Sequence, residues 1–164
     1  MCRGSRRSRP ARRASRSRTK VRAFVATAVF ACAGLAQGAD FRTVNDSAAV
    51  MYDAPSRAAT PVFVASRLYP VEVIVNLDAW VKVRDHTGSF SWIEKKSLSE
   101  RRMVLVTAPN VEVRSRAEDG APAVFQATQN VALELVEIAP GGWVRVRHAD
   151  GSSGFIKSSL LWGL

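Results

Sequence analysis

From Asp40 onward the chain alternates apolar and polar residues in short runs, and clusters of turn-forming residues separate the runs. In Trp143-Val144-Arg145-Val146-Arg147 the two valines share one face, while Trp143, Arg145 and Arg147 share the other, because side chains alternate across a strand. The stretch from Leu133 to Ile138 alternates similarly, with Leu133, Leu135 and Val136 directed inward. Turns are marked at Asn76-Leu77-Asp78, Asp85-His86-Thr87-Gly88, Ala139-Pro140-Gly141-Gly142 and Asp150-Gly151. No sustained helical period follows Asp40, so the pattern predicts an all-β sandwich or small barrel.

The pattern is written twice. Trp80-Val81-Lys82-Val83-Arg84 lies over Trp143-Val144-Arg145-Val146-Arg147 at an offset of 63 residues, which also sets Gly88 on Gly151, Trp92-Ile93 on Phe155-Ile156 and Leu98 on Leu161. The same offset puts Val73 and Val75 on Val136 and Ile138. Nearer the start of each unit, Ala49-Val50-Met51-Tyr52 is set against Asn110-Val111-Glu112-Val113 at an offset of 61, a two-residue loop difference. A repeat of about 60 residues is long enough to close a five-stranded barrel, yet is marginal as an isolated fold. The connection from Ser97 to Arg102 is short, so the two units are expected to pack together.

Charge changes the picture only at the head. The chain has 164 residues and a formal net charge of +10, with ten of its 24 Lys and Arg before position 23 and no acidic residue before Asp40. The remaining 14 basic residues balance all 14 acidic ones, so the body lacks the cationic excess of a phosphate-binding surface, and no nucleic-acid partner is expected. The basic head runs into the apolar stretch from Ala23 to Ala33, which has the length of a signal-peptide core and is too short to span a bilayer. Small residues at Ala36 and Gly38 place cleavage after Gly38 or one residue later, so residues 1–38 are read as a signal peptide that meets the membrane only in transit. Its basic part is long for such a signal, which points to translation starting nearer Val21 from a GTG codon. Arg6-Arg7 lacks the hydrophobic residue that follows a twin-arginine pair, and Cys32 after Val29-Phe30-Ala31 leaves open a lipid-anchored form. Cys2 and Cys32 are the two cysteines, so the expected periplasmic or secreted product has no disulfide and no thiolate chemistry.

The segment from Gly141 to Leu164 has a strand opened by Trp143, a glycine hairpin, the pair Phe155-Ile156 and then Ser159-Leu160-Leu161. The first unit parallels it from Ala79 to Val106, and Asn110, Val111, Arg114 and Ser115 supply an Asn-Val-x-x-Arg-Ser opening. In these features the chain resembles the bacterial SH3-like (SH3b) domain family, found in tandem in exported envelope proteins. The resemblance implies two tandem small SH3-like β-barrels after the signal peptide, over residues 39–102 and 103–164. It departs from the family at Ala54-Pro55-Ser56 and Arg116-Ala117-Glu118, where Gly-Pro-Gly is frequent, and at Ser91, where glycine is usual. Lys157-Ser158-Ser159-Leu160 lacks the Pro and Tyr of a proline-rich-peptide groove.

Catalysis finds little support. His86 and His148 fall one to a hairpin, as exposed turn residues, and the acidic residues are scattered apart from Glu118-Asp119. Neither a metal site, a nucleophile with its base nor a facing carboxylate pair is legible, so no enzyme, metal or cofactor is expected. Trp80 with Lys82 and Arg84, and Trp143 with Arg145 and Arg147, put an aromatic ring beside cations, a combination suited to stacking on a sugar or peptide and to binding an acidic group. The alternative for both tryptophans is packing at a barrel edge or between the repeats. The resemblance adds Tyr52 and Asp53 in the opening loop. Trp92 and Phe155 are expected in the core, and Trp162 is expected to pin the C-terminus. The resemblance implies a cell-wall peptidoglycan ligand, with an envelope protein as the alternative partner.

Overall fold

The computed structural model describes Met1 and residues 38–164, which leaves the signal peptide expected over residues 1–38, apart from its two ends, outside the described residues. The residues from Gly38 onward belong to one compact unit. It holds fourteen strands and three 3₁₀ turns, with no α-helix among the described residues. The first seven strands are β1 (Phe41–Val44), β2 (Ala48–Tyr52), β3 (Pro61–Ser66), β4 (Pro70–Asn76), β5 (Trp80–Arg84), β6 (Phe90–Glu94) and β7 (Leu98–Ser99). The second seven are β8 (Met103–Val106), β9 (Asn110–Arg114), β10 (Ala123–Thr128), β11 (Ala132–Ala139), β12 (Trp143–Arg147), β13 (Ser153–Lys157) and β14 (Leu161–Trp162). Each set forms one antiparallel sheet, in the orders β3-β2-β6-β5-β4-β1-β7 and β10-β9-β13-β12-β11-β8-β14.

The five-stranded closed barrel expected for each repeat is replaced by a seven-stranded ladder that stays open. In the first repeat β7 has only two residues, spent on pairing with β1, while β3 pairs with β2 alone. Closure is left to the side chains. Val44, Ala49, Met51, Ala65, Val71 and Ile93 come from five different strands and meet Val81 and Val83 of a sixth in one buried cluster. The second repeat builds its cluster from the equivalent set, including Val106, Val113, Leu133, Val144 and Ile156. Apolar area withdrawn in this way contributes about 25 cal/mol per Å², and it is the main support of sheets this small.

Pairing corrects the sequence alignment. β2 and β9 have the same alternation of exposed and buried positions, so Ala49 matches Val111 and Tyr52 matches Arg114. The offset there is 62, not 61; a slip of one residue exchanges the faces of a strand. A bulge at the same point of β4 and β11 likewise sets Val73 on Leu135, and leaves Val136 and Ile138 exposed rather than inward or core-matched. The offset becomes 63 only at Trp80 and Trp143, where β11 enters the turn Pro140–Gly142 with one residue more.

The repeats meet through their ends. Trp162 stands edge-on to Phe41, with ring centroids 5.1 Å apart, and also faces His86 at 6.4 Å. Its role extends beyond pinning the terminus, since it couples the second repeat to the first. Arg102 lies over the Phe41 ring and donates to the Gly163 carbonyl at 3.1 Å. Gly163 has φ +106, and a side chain there would press within 3.0 Å of the Met103 carbonyl. His86 is not a free turn residue: its Nδ1 shares a hydrogen bond with the Tyr69 hydroxyl at 2.8 Å. Burial and the nearby Asp85 carboxylate push the Tyr69 phenol up to about 12, which keeps it protonated.

Candidate binding clefts

Each repeat carries a cleft between its first hairpin and its last long strand, and the two clefts are built from equivalent positions. The first has a volume of about 240 Å³ and is lined by Ala48, Tyr52, Arg57, Glu94 and Ser97 among others. The second, about 260 Å³, is lined by their counterparts Asn110, Arg114, Asp119, Lys157 and Leu160. In both, the loop that joins the hairpin strands is tied to the neighbouring strand by an ion pair. The Arg57 guanidinium donates to both oxygens of Glu94, at 3.0 and 2.8 Å. The Lys157 ammonium holds Asp119 at 3.0 Å. Position is kept and polarity reversed. The Arg57 hydrogen bonds hold the Glu94 carboxyl below the usual carboxylate range.

The aromatic surroundings differ: Trp143 lines the second cleft, whereas the first is lined by Tyr52, with Trp80 at its border. Trp80 is half-buried and meets Tyr52 edge-to-face, with centroids 5.6 Å apart at 84°. Trp143 is only 6% exposed, and the Lys157 ammonium lies 4.2 Å from its ring centroid. Arg114, standing where Tyr52 stands, turns to its own loop and donates to the Ala121 carbonyl at 2.7 Å. Asp53 holds the first loop, its carboxylate accepting the Thr60 amide at 3.0 Å and its own amide donating to the Thr60 carbonyl at 3.1 Å.

The tryptophans share a face with the cations that follow them, but the strand separates their surroundings. Trp80 and Arg84 are four residues apart, about 13 Å along an extended strand. Arg84 faces Glu72 across the ladder and donates from Nε at 2.6 Å, away from the aromatic cleft. Arg147 reaches Glu134, at 3.8 Å, which also binds Arg101 at 3.3 Å. Arg145 is exposed and pairs across the ladder with Phe155. Trp92 and Phe155 are not core residues: Ile93 and Ile156 point inward, and the two aromatic rings lie half-exposed on the outer face. The loop-to-strand ion pairs escaped the sequence reading. Their signal was present, since Arg57/Asp119 and Glu94/Lys157 change sign together between the repeats.

His148 is half-buried, its Nδ1 3.1 Å from Asp150, whose carboxyl is lowered chiefly by the Ser152 amide hydrogen bond. No cluster of three or more His, Cys, Asp or Glu suited to a metal occurs among the described residues. No helix among them is long and apolar enough to cross a membrane.

Two segments, residues 45–100 and 107–163, match the family model of the bacterial SH3 domain. The chain belongs to the bacterial SH3 domain family. It carries two copies in tandem, one on each seven-stranded sheet. No curated protein matches the chain. Among solved structures it is similar to NlpC2 from Trichomonas vaginalis, at 15% identity over 77% of this chain and 48% of that one, with a TM-score of 0.37. NlpC1 from the same organism gives 17% identity, 76% and 46% coverage and a TM-score of 0.36. An NlpC/P60 family protein from Bacillus cereus gives 17%, 74% and 55%, with a TM-score of 0.34. The chain thus spans about half the length of each of these proteins.

Proposed function

We propose that the protein is an exported, non-catalytic module that binds a component of the cell envelope, with peptidoglycan or its stem peptides as the first choice of ligand. The observation that carries this reading is the Tyr52–Trp80 corner: Tyr52 lines a cleft of about 240 Å³ that also holds the Arg57–Glu94 ion pair, and Trp80 stands edge-to-face against Tyr52 at its border. Aromatic faces beside fixed charges suit sugar and peptide ligands. Membership of the bacterial SH3 family supports a binding role, and the basic-then-apolar head supports export to the periplasm. Residues 39–102 and 103–164 are taken as the two domains, with Tyr52 and Trp80 as the contact residues and Asp53 as the residue that shapes the loop beside them.

The test is sedimentation of the purified protein with insoluble sacculi, run beside a Trp80→Ala variant whose fold is checked by circular dichroism. Binding by the native protein and its loss in the folded variant support the assignment. A protein that stays in the supernatant overturns it. That outcome favours the second reading, a protein–protein adaptor, to which the exposed apolar edge strand is suited: Val62 and Val64 of β3 are 53% and 58% exposed.

A further inference from the structure

The second repeat contains, within one chain, a complete ammonium site. The Lys157 ammonium sits over the Trp143 ring and is held there by the Asp119 carboxylate. Ring, cation and carboxylate come from a strand, its ladder partner and the hairpin loop; Trp143 and Lys157 are directly opposite across β12 and β13. A cation over an indole face is attracted by the negative charge of the ring face, and the carboxylate fixes its position.

The first repeat has the same ring and a carboxylate, but the carboxylate stands on the opposite side. Trp80 faces Glu94 across β5 and β6, at the register where Trp143 faces Lys157. No cation is recorded over the Trp80 ring among the described residues, whereas the Trp143 ring carries its own. Glu94 keeps 27% of its side chain exposed beside the cleft. The charged residues lining that cleft are Asp46, Arg57 and Glu94, an excess of one carboxylate. Lys96 approaches Glu94 only to 3.8 Å, and Arg57 is 65% exposed, so neither cation is buried between the ring and the carboxylate.

We propose that the border of the first repeat's cleft, where Trp80 and the cleft residue Glu94 face each other across β5 and β6, takes a primary ammonium group from its ligand, while the second repeat has satisfied the equivalent place with Lys157 and serves as scaffold. This inference rests on the wall-binding reading and narrows it: the recognised part of the envelope ligand is an amine-bearing amino-acid residue rather than a neutral sugar. It also assigns binding to one repeat, so tandem linkage adds no avidity between two sites.

The experiment compares native sacculi with sacculi treated with acetic anhydride, which turns their free amines into uncharged amides. Binding to the treated sacculi is expected to fall about 10-fold, the scale of one lost cation–aromatic contact with its ion pair. Equal sedimentation on both overturns the ammonium site and leaves the wall-binding reading standing. Failure to sediment on untreated sacculi overturns both. A second arm uses the double variant Arg57→Asp with Glu94→Lys, which gives the first repeat the ion pair that the second already tolerates and supplies Trp80 with a lysine from its own chain. It should fold normally and lose binding to native sacculi; binding at the level of the parent protein overturns the proposal.

Discussion

The two repeats share most of their core positions and differ where their surfaces face the cleft. Met51 and Val113, Val71 and Leu133, Val83 and Val146, Ile93 and Ile156 occupy matching buried places. On the outer side, Tyr52 is matched by Arg114, Glu94 by Lys157 and Arg57 by Asp119. A core residue touches many neighbours, so its volume is fixed by packing. A half-exposed residue answers only to its few partners, and an ion pair answers only to opposite signs. The loop tie has survived in both repeats while its polarity reversed, so what the fold requires there is a bridge. The direction of the bridge is free to decide whether a cation comes to rest on the tryptophan.

The comparison breaks most severely at the seam, where the repeats are least alike. Trp162 has Ser99 as its counterpart, and Phe41 has Met103. Trp162→Ala removes the edge contact to Phe41 and the contact to His86, and is expected to cost about 3 kcal/mol in urea unfolding. Ser99→Ala loses only a hydrogen bond from its hydroxyl to the Thr43 carbonyl at 3.2 Å, and should cost under about 1 kcal/mol. Equal losses would mean that the two repeats do not depend on the aromatic seam.

A smaller effect separates Gly154 from Ser91. A side chain at Gly154 would stand 2.6 Å from the Arg114 carbonyl and 2.8 Å from a methyl of Val113. At the matching place Ser91 fits, its hydroxyl 3.3 Å from the Met51 sulfur. Met51 is unbranched and yields, whereas at Gly154 the obstacles are the backbone carbonyl of Arg114 and a β-branched valine, and neither does. Gly154→Ser is expected to destabilise by about 2 kcal/mol through overpacking. Ser91→Gly should cost about 1 kcal/mol, mainly in chain entropy. Thermal melts of the two variants give the ordering, and the reverse order would show that Met51 is not what makes room.

These contrasts mark how far the sequence could be read. The strands, the duplication and the buried valines were legible because alternation and a repeat leave their trace at every second residue. The family opening at Asn110 and the closing turn at Ser158 were legible too. The alignment of β2 on β9 was not: the bulge falls at the same point of β4 and β11 and leaves no trace in a count, while one residue added before Trp143 changes the offset from 62 to 63. The outward position of Trp92 and Phe155 was missed because size suggested burial, while alternation from Ile93 and Ile156 already pointed the other way. His86 was read as exposed because its partners, Tyr69 and Trp162, lie 17 and 76 residues away in the sequence. In the cleft, residue types were visible but not which side chain each charge would meet.

Alkaline titration tests the seam more gently. Tyr69 is matched by Val131, so the phenol belongs to the first repeat alone. An unfolded tyrosine ionises near 10, and the folded Tyr69 near 12. The stability it contributes is fully present below pH 10 and is lost as pH rises toward 12, because the unfolded chain releases its proton first. With allowance for the partial exposure of the ring, the loss should be about 1–2 kcal/mol. Tyr69→Phe is expected to remove that alkaline slope, and an unchanged slope would assign it to other groups.

The smallest expected effect is the most informative about the clefts. If the loop tie needs a bridge and not a particular polarity, the double variant Arg57→Asp with Glu94→Lys should leave the urea midpoint where it is. Arg57→Asp alone sets two carboxylates against each other at the end of the loop, and the loop should loosen without unfolding the repeat. The Thr60 amide, which donates to Asp53, reports this directly, and its hydrogen exchange should quicken in the single variant and recover in the double. Acid acts on the same tie. Glu94 is held below its ordinary value by Arg57, so the contribution of the pair is present above that ordinary value and fades as pH falls through the lowered one. The double variant replaces the acid partner with a lysine and moves the carboxylate to the loop, so the tie should still fade in acid, now through the loop position. A double variant whose loop exchanges as fast as the single one would mean that the first repeat depends on the polarity of its bridge, and the sign reversal between the repeats would then have needed compensation elsewhere in the sheet.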